Sequence, residues 1–476
     1  MASKKRPHFA VSSLSYVFSL AAQRGLPFLA LPIVSRATTQ FEYGAASLAI
    51  SVGSVLSVIM TLGINAAMPR LYAQPRLNSD RAAWVSLVVV QISFAVVLLA
   101  ATGCGTLIIG PRIFGPQFNA LVTPTLFLAV ISSIQMTYQG LAIARGASSR
   151  LLAATLLQLV LGLTLAQVLS EAFGGAGYIY ALVISSTAAT AMLIAFRHPK
   201  PDWDVFGVRS GLRLAVPFIG QGLSTWLLAL FDRIVIGVIL GATQVGGYQV
   251  AYMAGSMIGM ILEGLQAAWA PRFHRSRNKE KKEVLVKLLS PSLWLTSCMV
   301  LLLVSVAPII LPLAAPSYAI DYVLVSLVAL SALPRAIYFV AIAGLLNEGR
   351  STAVMMSTMV SAAFTVVTAL LLIPSLGIIG GGIVTLAAFM IQSLIVSQRA
   401  FAWSLRRTAG LVFFPALATS IVAGIVVLIS TLGFRGSILT TIFLVFPVAF
   451  ASLKALRVFT VVLNSWQEEL APRVLS

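Results

Sequence analysis

Of 476 residues 59% are hydrophobic and 9% charged, against roughly 25% charged in an average soluble domain, so no water-soluble fold can hide this much apolar surface. Lys and Arg outnumber Asp and Glu by 32 to 13, a net charge of +19, but the bases are scattered through short polar segments without stacking aromatics, which argues against nucleic acid as a partner. Both Cys residues lie in apolar runs and all 3 His residues in polar ones, so no disulfide framework, metal cluster or cofactor is expected.

The first apolar run, 9–34, follows the basic cluster Lys4, Lys5 and Arg6 but is longer than a signal-peptide core and contains Arg24, Pro27 and Pro32. It reads as a retained first helix. Further spans are predicted at 44–68, 83–109, 119–143, 151–169, 175–196, 212–240, 245–270, 288–314, 321–346, 352–373, 377–397, 409–431 and 437–460. Each has about 20 residues or more, enough to cross about 30 Å of hydrocarbon, and about fourteen such spans return the C-terminus to its starting side. All Lys and Arg residues except Arg24, Arg36, Arg112, Arg233, Arg335 and Arg435 then fall on one side, the pattern of the cytoplasmic face. Localisation in the cell (inner) membrane with both termini cytoplasmic is therefore expected.

Two cytoplasmic segments interrupt the run of short loops. Residues 197–213, rich in Pro, Trp and charge, read as the linker between halves, and 271–290 reads as a basic cluster beside anionic lipid headgroups, so membrane lipids are expected partners. An internal repeat supports the halving. Gly44 matches Gly246 and Pro69-Arg70 matches Pro271-Arg272 at one offset, while Gly146 matches Gly349 and Gly174 matches Gly377 at an offset one residue longer. An even number of spans per unit gives halves of the same orientation, the parallel class of transporter repeat. The fold class expected is an all-α polytopic membrane protein: a lobe at 1–200, a second at 201–400, and two extra helices with a cytoplasmic tail at 401–476. The match fails where Arg24 aligns with Trp226.

Residues 231–273, with Asp232-Arg233, the turn Val245 to Tyr248 and the closing Pro271, resemble the seventh and eighth helices of Wzx-like polysaccharide flippases in the multidrug/oligosaccharidyl-lipid/polysaccharide exporter superfamily. Residues 24–44 resemble that family's first helix and exit turn, and 371–388 its eleventh-to-twelfth connection, so the likeness spans roughly 9–400. The resemblance implies a transporter that turns a polyprenyl-pyrophosphate-linked oligosaccharide to the outer leaflet by alternating access, a protein that is not an enzyme, with glycan assembly proteins as further partners.

The residues themselves are compatible with that implication. Arg24 and Arg335 fall near the middle of their spans, where an Arg costs about 2.5–3.5 kcal/mol and needs a wet cavity or an acid. One reading is pyrophosphate contact, to which the planar guanidinium fork is suited; the other is an interhelical ion pair or bonds to carbonyls freed by Pro27 and Pro334. Gln23 and Gln221 are candidates to line the same space, or to bond between helices. Adjacent on a helix, Asp232 and Arg233 point about 100° apart and are not expected to pair with each other; snorkelling explains both, and Glu263 likewise, unless they serve ion coupling or gating. Pro217 is the favoured hinge among the span prolines.

A cation-coupled multidrug exporter of the same superfamily is the alternative function, and a membrane glycan polymerase or ligase, which needs a sizeable outer loop, a weaker one. Impermeant thiol labelling of single-cysteine variants in intact cells tests the topology: positions in 112–117, 316–321 and 374–376 should react, and labelling of Asn278→Cys would invert the orientation.

Overall fold

The computed structural model describes residues 9–73, 83–114, 118–195, 205–275 and 281–401, and every element among them is helical. The reason is the solvent. In hydrocarbon each backbone N–H and C=O must be satisfied within its own segment, which an α-helix does and an isolated strand does not. The helices in order are α1 (Phe9–Ala37), α2 (Gln40–Met60), α3 (Ile64–Ala73), α4 (Ala83–Phe114), α5 (Asn119–Ala144), α6 (Ser148–Ile194), α7 (Val205–Ala215), α8 (Pro217–Ile239), α9 (Ala242–Arg275), α10 (Lys281–Ala314), α11 (Tyr322–Leu330), α12 (Ala332–Asn347), α13 (Ser351–Leu376) and α14 (Ile378–Phe401). Among the described residues 10 segments are long and apolar enough to cross a membrane. The spans predicted at 409–431 and 437–460 lie outside the described residues.

At 47 residues α6 measures about 70 Å by helical rise, more than twice a hydrocarbon core. It is two passes joined at Gly174, which has φ 56° and ψ −137°. A Cβ on Gly177 would lie 1.8 Å from the carbonyl oxygen of Leu169, a contact that an unbroken helix, rising about 12 Å over eight residues, cannot make. The same turn recurs between α13 and α14. Gly377 has φ 63° and ψ −144°, and a Cβ on Gly380 would lie 2.5 Å from the oxygen of Leu372. Gly146 and Gly349, the other repeat-matched pair, also share a left-handed conformation, at φ 68° and 73°. At these two pairs the match in sequence is also a match in backbone conformation.

By contact the chain forms two compact units. One comprises the described residues through Gln249 together with Ala315–Tyr318; the other holds Val250–Ala314 and the described residues from Ala319 onward. In the first, a core of Ile64, Met68, Leu87, Leu141 and Leu193 is fully buried. In the second, Phe273, Leu285, Leu288, Leu289, Ala341 and Leu345 make one core, and Ile258, Leu293, Val300 and Ala329 another.

The first unit is tied at the start of α2. Thr39 and Glu42 form a capping box, with Thr39 N–H donating to Glu42 Oε2 at 2.8 Å. Tyr43 packs edge-on to Tyr318 at 5.9 Å, and the Tyr318 hydroxyl shares a 3.1 Å hydrogen bond with Thr38. Burial pushes the Tyr318 phenol above its ordinary pKa. Beside this knot α2 crosses α9 backbone to backbone. A Cβ on Gly44 would stand 1.8 Å from the oxygen of Ala242, and one on Gly246 2.1 Å from the oxygen of Gln40. The repeat-matched glycines therefore pack against each other's helices, and the Gln40 amide donates to Thr243 O at 2.8 Å alongside.

Two expectations change. The segment 197–213, read as a linker, ends in the helix α7: Val208, Leu212 and Leu214 pack on the first core while Arg209 and Arg213 face outward, because the i, i+4 spacing of apolar residues gives it one buried stripe. The basic segment 271–290 is largely the continuation of α9 and the start of α10, with Phe273 and Leu285 in the core.

Because α2 and α9 meet backbone to backbone, Gly246→Ala should lower stability by about 1–3 kcal/mol or abolish folding, the range for overpacking, whereas Gly264→Ala, with nothing within 4 Å of its Cβ, should not. Thermal unfolding in detergent, followed by size-exclusion fluorescence, measures both.

Candidate functional site

Helices α2, α3 and α8 enclose a cavity of about 500 Å³, lined by Ser54, Ser57, Thr61 and Asn65 on one side and Gln221, Thr225 and Trp226 on the other. A second cavity of about 300 Å³ shares Ser54, Ser57 and Met136 with it and adds Gln23 of α1, Ser132, Gln135 and Gln139 of α5 and Gln158 of α6. Gln23 and Gln221 thus line adjoining spaces. No Asp, Glu, Lys or Arg is among the described residues lining either.

Part of this polar wall is fixed by its own bonds. Gln135 Nε2 donates to Gln158 Oε1 at 2.6 Å, Gln158 Nε2 to Ser186 at 3.1 Å and Gln23 Nε2 to Thr155 at 3.1 Å. Trp226 Nε1 donates to Ser54 Oγ at 2.8 Å. Sequence reasoning found Gln23 and Gln221 and missed the rest, although Gln135, Gln139 and Gln158 are amides in apolar runs with the same signal. Arg24 falls within α1 next to Gln23, and its side chain lies outside the described set.

Arg335 stands on the first turn of α12, in the second unit. Pro334 has no N–H to give the preceding turn, and the chain breaks at Ser331 between α11 and α12, which sets Arg335 near the middle of the span Tyr322–Asn347. Its Nη2 donates to Glu263 Oε1 at 2.8 Å, and its guanidinium carbon lies 4.7 Å from the centre of the Phe389 ring. Gly259, one turn before Glu263 on α9, makes the room: a Cβ there would lie 2.2 Å from Arg335 Nη1. Of the two readings of Arg335, the ion pair is thus present, and Glu263, expected to snorkel, is instead its partner. The two side chains remain 15% and 26% exposed.

Asp232 and Arg233 require a larger correction. Both are 3% exposed, so neither snorkels. They also bond to each other, Arg233 Nη1 to Asp232 Oδ1 at 3.1 Å, because the long Arg side chain folds back along its own helix, where Nη1 also reaches Ala229 O at 2.6 Å. The 100° between their Cα directions does not limit a side chain of that reach. From α9 the Tyr248 hydroxyl donates to Asp232 Oδ2, and Arg233 Nε donates to Gln249. The Val-Gly-Gly-Tyr motif, expected as a turn, lies within the first turns of α9, and its last residue, fully buried Tyr248, ties that helix to Asp232. Pro217 is the first residue of α8, directly after the break at Val216 that divides the span Val208–Ile239 into α7 and α8, and a missing N–H costs nothing there.

Residues 10–277 match the family model for the polysaccharide biosynthesis protein. Among curated proteins none matches the chain. Among solved structures it is similar to the lipid II flippase MurJ in an inward closed conformation, at 13% identity and a TM-score of 0.71, over 96% of this chain and 100% of that one. It is similar also to an inward-facing multidrug resistance MATE family transporter of the MOP superfamily, at 17% identity and a TM-score of 0.63, over 82% and 95%. A MOP superfamily transporter from Pyrococcus furiosus aligns at 15% identity with a TM-score of 0.53, over 84% and 96%. At such identities the likeness is one of fold, that of a multi-pass helical membrane protein.

The Asp232–Arg233 cluster generates a stability prediction. Arg233→Ala strands a buried carboxylate and should cost about 3–5 kcal/mol, lowering protein abundance and unfolding temperature. Adding Asp232→Asn should recover much of that loss, and failure to recover would mean that the pair is not the cause.

Proposed function

We propose that this chain, which belongs to the polysaccharide biosynthesis protein family, flips a polyprenyl-pyrophosphate-linked oligosaccharide across the cell (inner) membrane by alternating access. The observation that carries the reading is Arg335: a guanidinium near mid-span, held by one carboxylate through a single nitrogen and still part-exposed. A cation kept there at such cost suits a mobile anion, and its planar fork suits pyrophosphate. Arg24, also central in its span, is the second contact we assign to the pyrophosphate. In this reading the incoming lipid competes with Glu263 for Arg335, and Glu263 is released as the substrate binds.

The repeat-related halves, 1–200 and 201–400, are the moving bodies of the mechanism, fourteen spans bring both termini to the cytoplasm, and glycan assembly proteins supply and remove the substrate. The Asp232–Arg233 cluster holds α8 to α9 during the motion, and the helix break at Pro217 is its hinge. A family of transporters and flippases calls for no catalytic residue, cofactor or metal.

One observation favours a second reading. Glu263 is a part-exposed acid within a span, as a cation-coupled multidrug exporter requires. The two readings separate in cells. For the flippase, Arg24→Ala and Arg335→Ala should each abolish surface glycan at near-normal protein levels, with partial rescue by Lys, and Arg335→Ala combined with Glu263→Gln should remain defective although no acid is stranded. For the exporter, Glu263→Gln alone should remove drug resistance while surface glycan persists. Normal glycan in the Arg24→Ala, Arg335→Ala double variant removes the flippase reading; immunoblots and glycan staining of the same cells decide.

A further inference from the structure

We infer that the paired cavities of the first unit form a subsite for a neutral, hydroxyl-rich sugar ring, read by the side-chain amides of Asn65, Gln139 and Gln221. The inference rests on the flippase reading and adds to it a place where the glycan, and not the pyrophosphate, is recognised.

Gln23, Gln135 and Gln158 are spent on partners within the unit. Asn65, Gln139 and Gln221 line the cavities, and among the described residues none bonds their side-chain amides. They are half-buried, so they face the cavities and are not sealed in the core. Inside an apolar bundle such amides favour an occupant that restores their hydrogen bonds.

The chemistry of the occupant follows by elimination. A hydrocarbon chain would leave all three amides unanswered. An ionic group would find no counter-charge among the described lining residues. An amide both donates and accepts, and so does a hydroxyl, so a ring bearing several hydroxyls answers donors and acceptors together. Val58, Met136 and Phe218 supply the apolar wall, and the volumes of about 500 and 300 Å³ fall in the range of small-molecule sites, which combine such walls with a few placed polar groups. The Gln135–Gln158–Ser186 chain and the Trp226–Ser54 bond stiffen the wall behind these three amides.

The test compares two lipids on the full chain in nanodiscs: polyprenyl pyrophosphate, and the lipid-linked glycan extracted from the host's own membranes. The unaltered protein should bind the glycosylated lipid about tenfold tighter than the bare one, the gain from a few net hydrogen bonds. Asn65→Leu, Gln139→Leu and Gln221→Leu together should erase that preference and leave bare-lipid affinity unchanged; a preference that survives overturns the subsite. Should the triple variant fail to fold, Thr225→Cys in a background of Cys104→Ala and Cys298→Ala reports from the same cavity: the glycosylated lipid should slow its alkylation and the bare lipid should not. Equal alkylation with both lipids, in a protein that prefers the glycosylated one, rules the subsite out. If neither lipid binds the unaltered protein, it is the flippase reading that fails.

Discussion

An unpaired peptide group in hydrocarbon costs several kcal/mol, and this one constraint decides where the chain can turn. Helices satisfy it along their length, so the cost concentrates at the reversals. At Gly174 and Gly377 the chain reverses within one residue of positive φ, and Gly177 and Gly380 let the returning helix press against a carbonyl of the outgoing one. A Cβ at any of these four positions meets strain or a clash. The repeat preserves these glycines because the turn has no other inexpensive form.

The same solvent explains how the charges are housed. Asp232 and Arg233, almost wholly buried, satisfy one another and take Tyr248, Gln249 and Ala229 O as further partners. That cluster is closed and resists change. Arg335 and Glu263 are the opposite case: a bond through one guanidinium nitrogen, residual exposure, and the rings of Phe339 and Phe389 beside the guanidinium. A pair of that kind can exchange partners, which is what the proposed binding of an anionic lipid asks of it.

Much of this was legible in the residues. Hydropathy located the described spans, and two of the four repeat landmarks, Gly146/Gly349 and Gly174/Gly377, are glycine pairs that share a left-handed backbone conformation. The partners were not legible in the same way. Arg335 and Glu263 are 72 residues apart and meet only through helix packing, although Gly259, one turn before Glu263, was a readable sign of a large side chain lying across α9. Asp232 and Arg233 were misjudged because helical angle describes where Cβ atoms point and says little about a long flexible side chain. The helix α7 hid behind Pro and charge, yet Val208 and Leu212 carried its period. Amides gave the weakest signal of all: Gln23 and Gln135, spent on the wall, and Gln139 and Gln221, open to the cavities, look alike in a sequence, and only their neighbours divide them.

The crossing of α2 over α9 has a mechanical meaning. Most packed helices mesh like gears, each side chain in a groove, and turning one against the other forces rotamers over barriers. Where Gly44 lies on Ala242 and Gly246 on Gln40, the two rods touch on bare main chain. Such a joint has no teeth. It behaves as a plain bearing, with the bond from Gln40 to Thr243 as a catch.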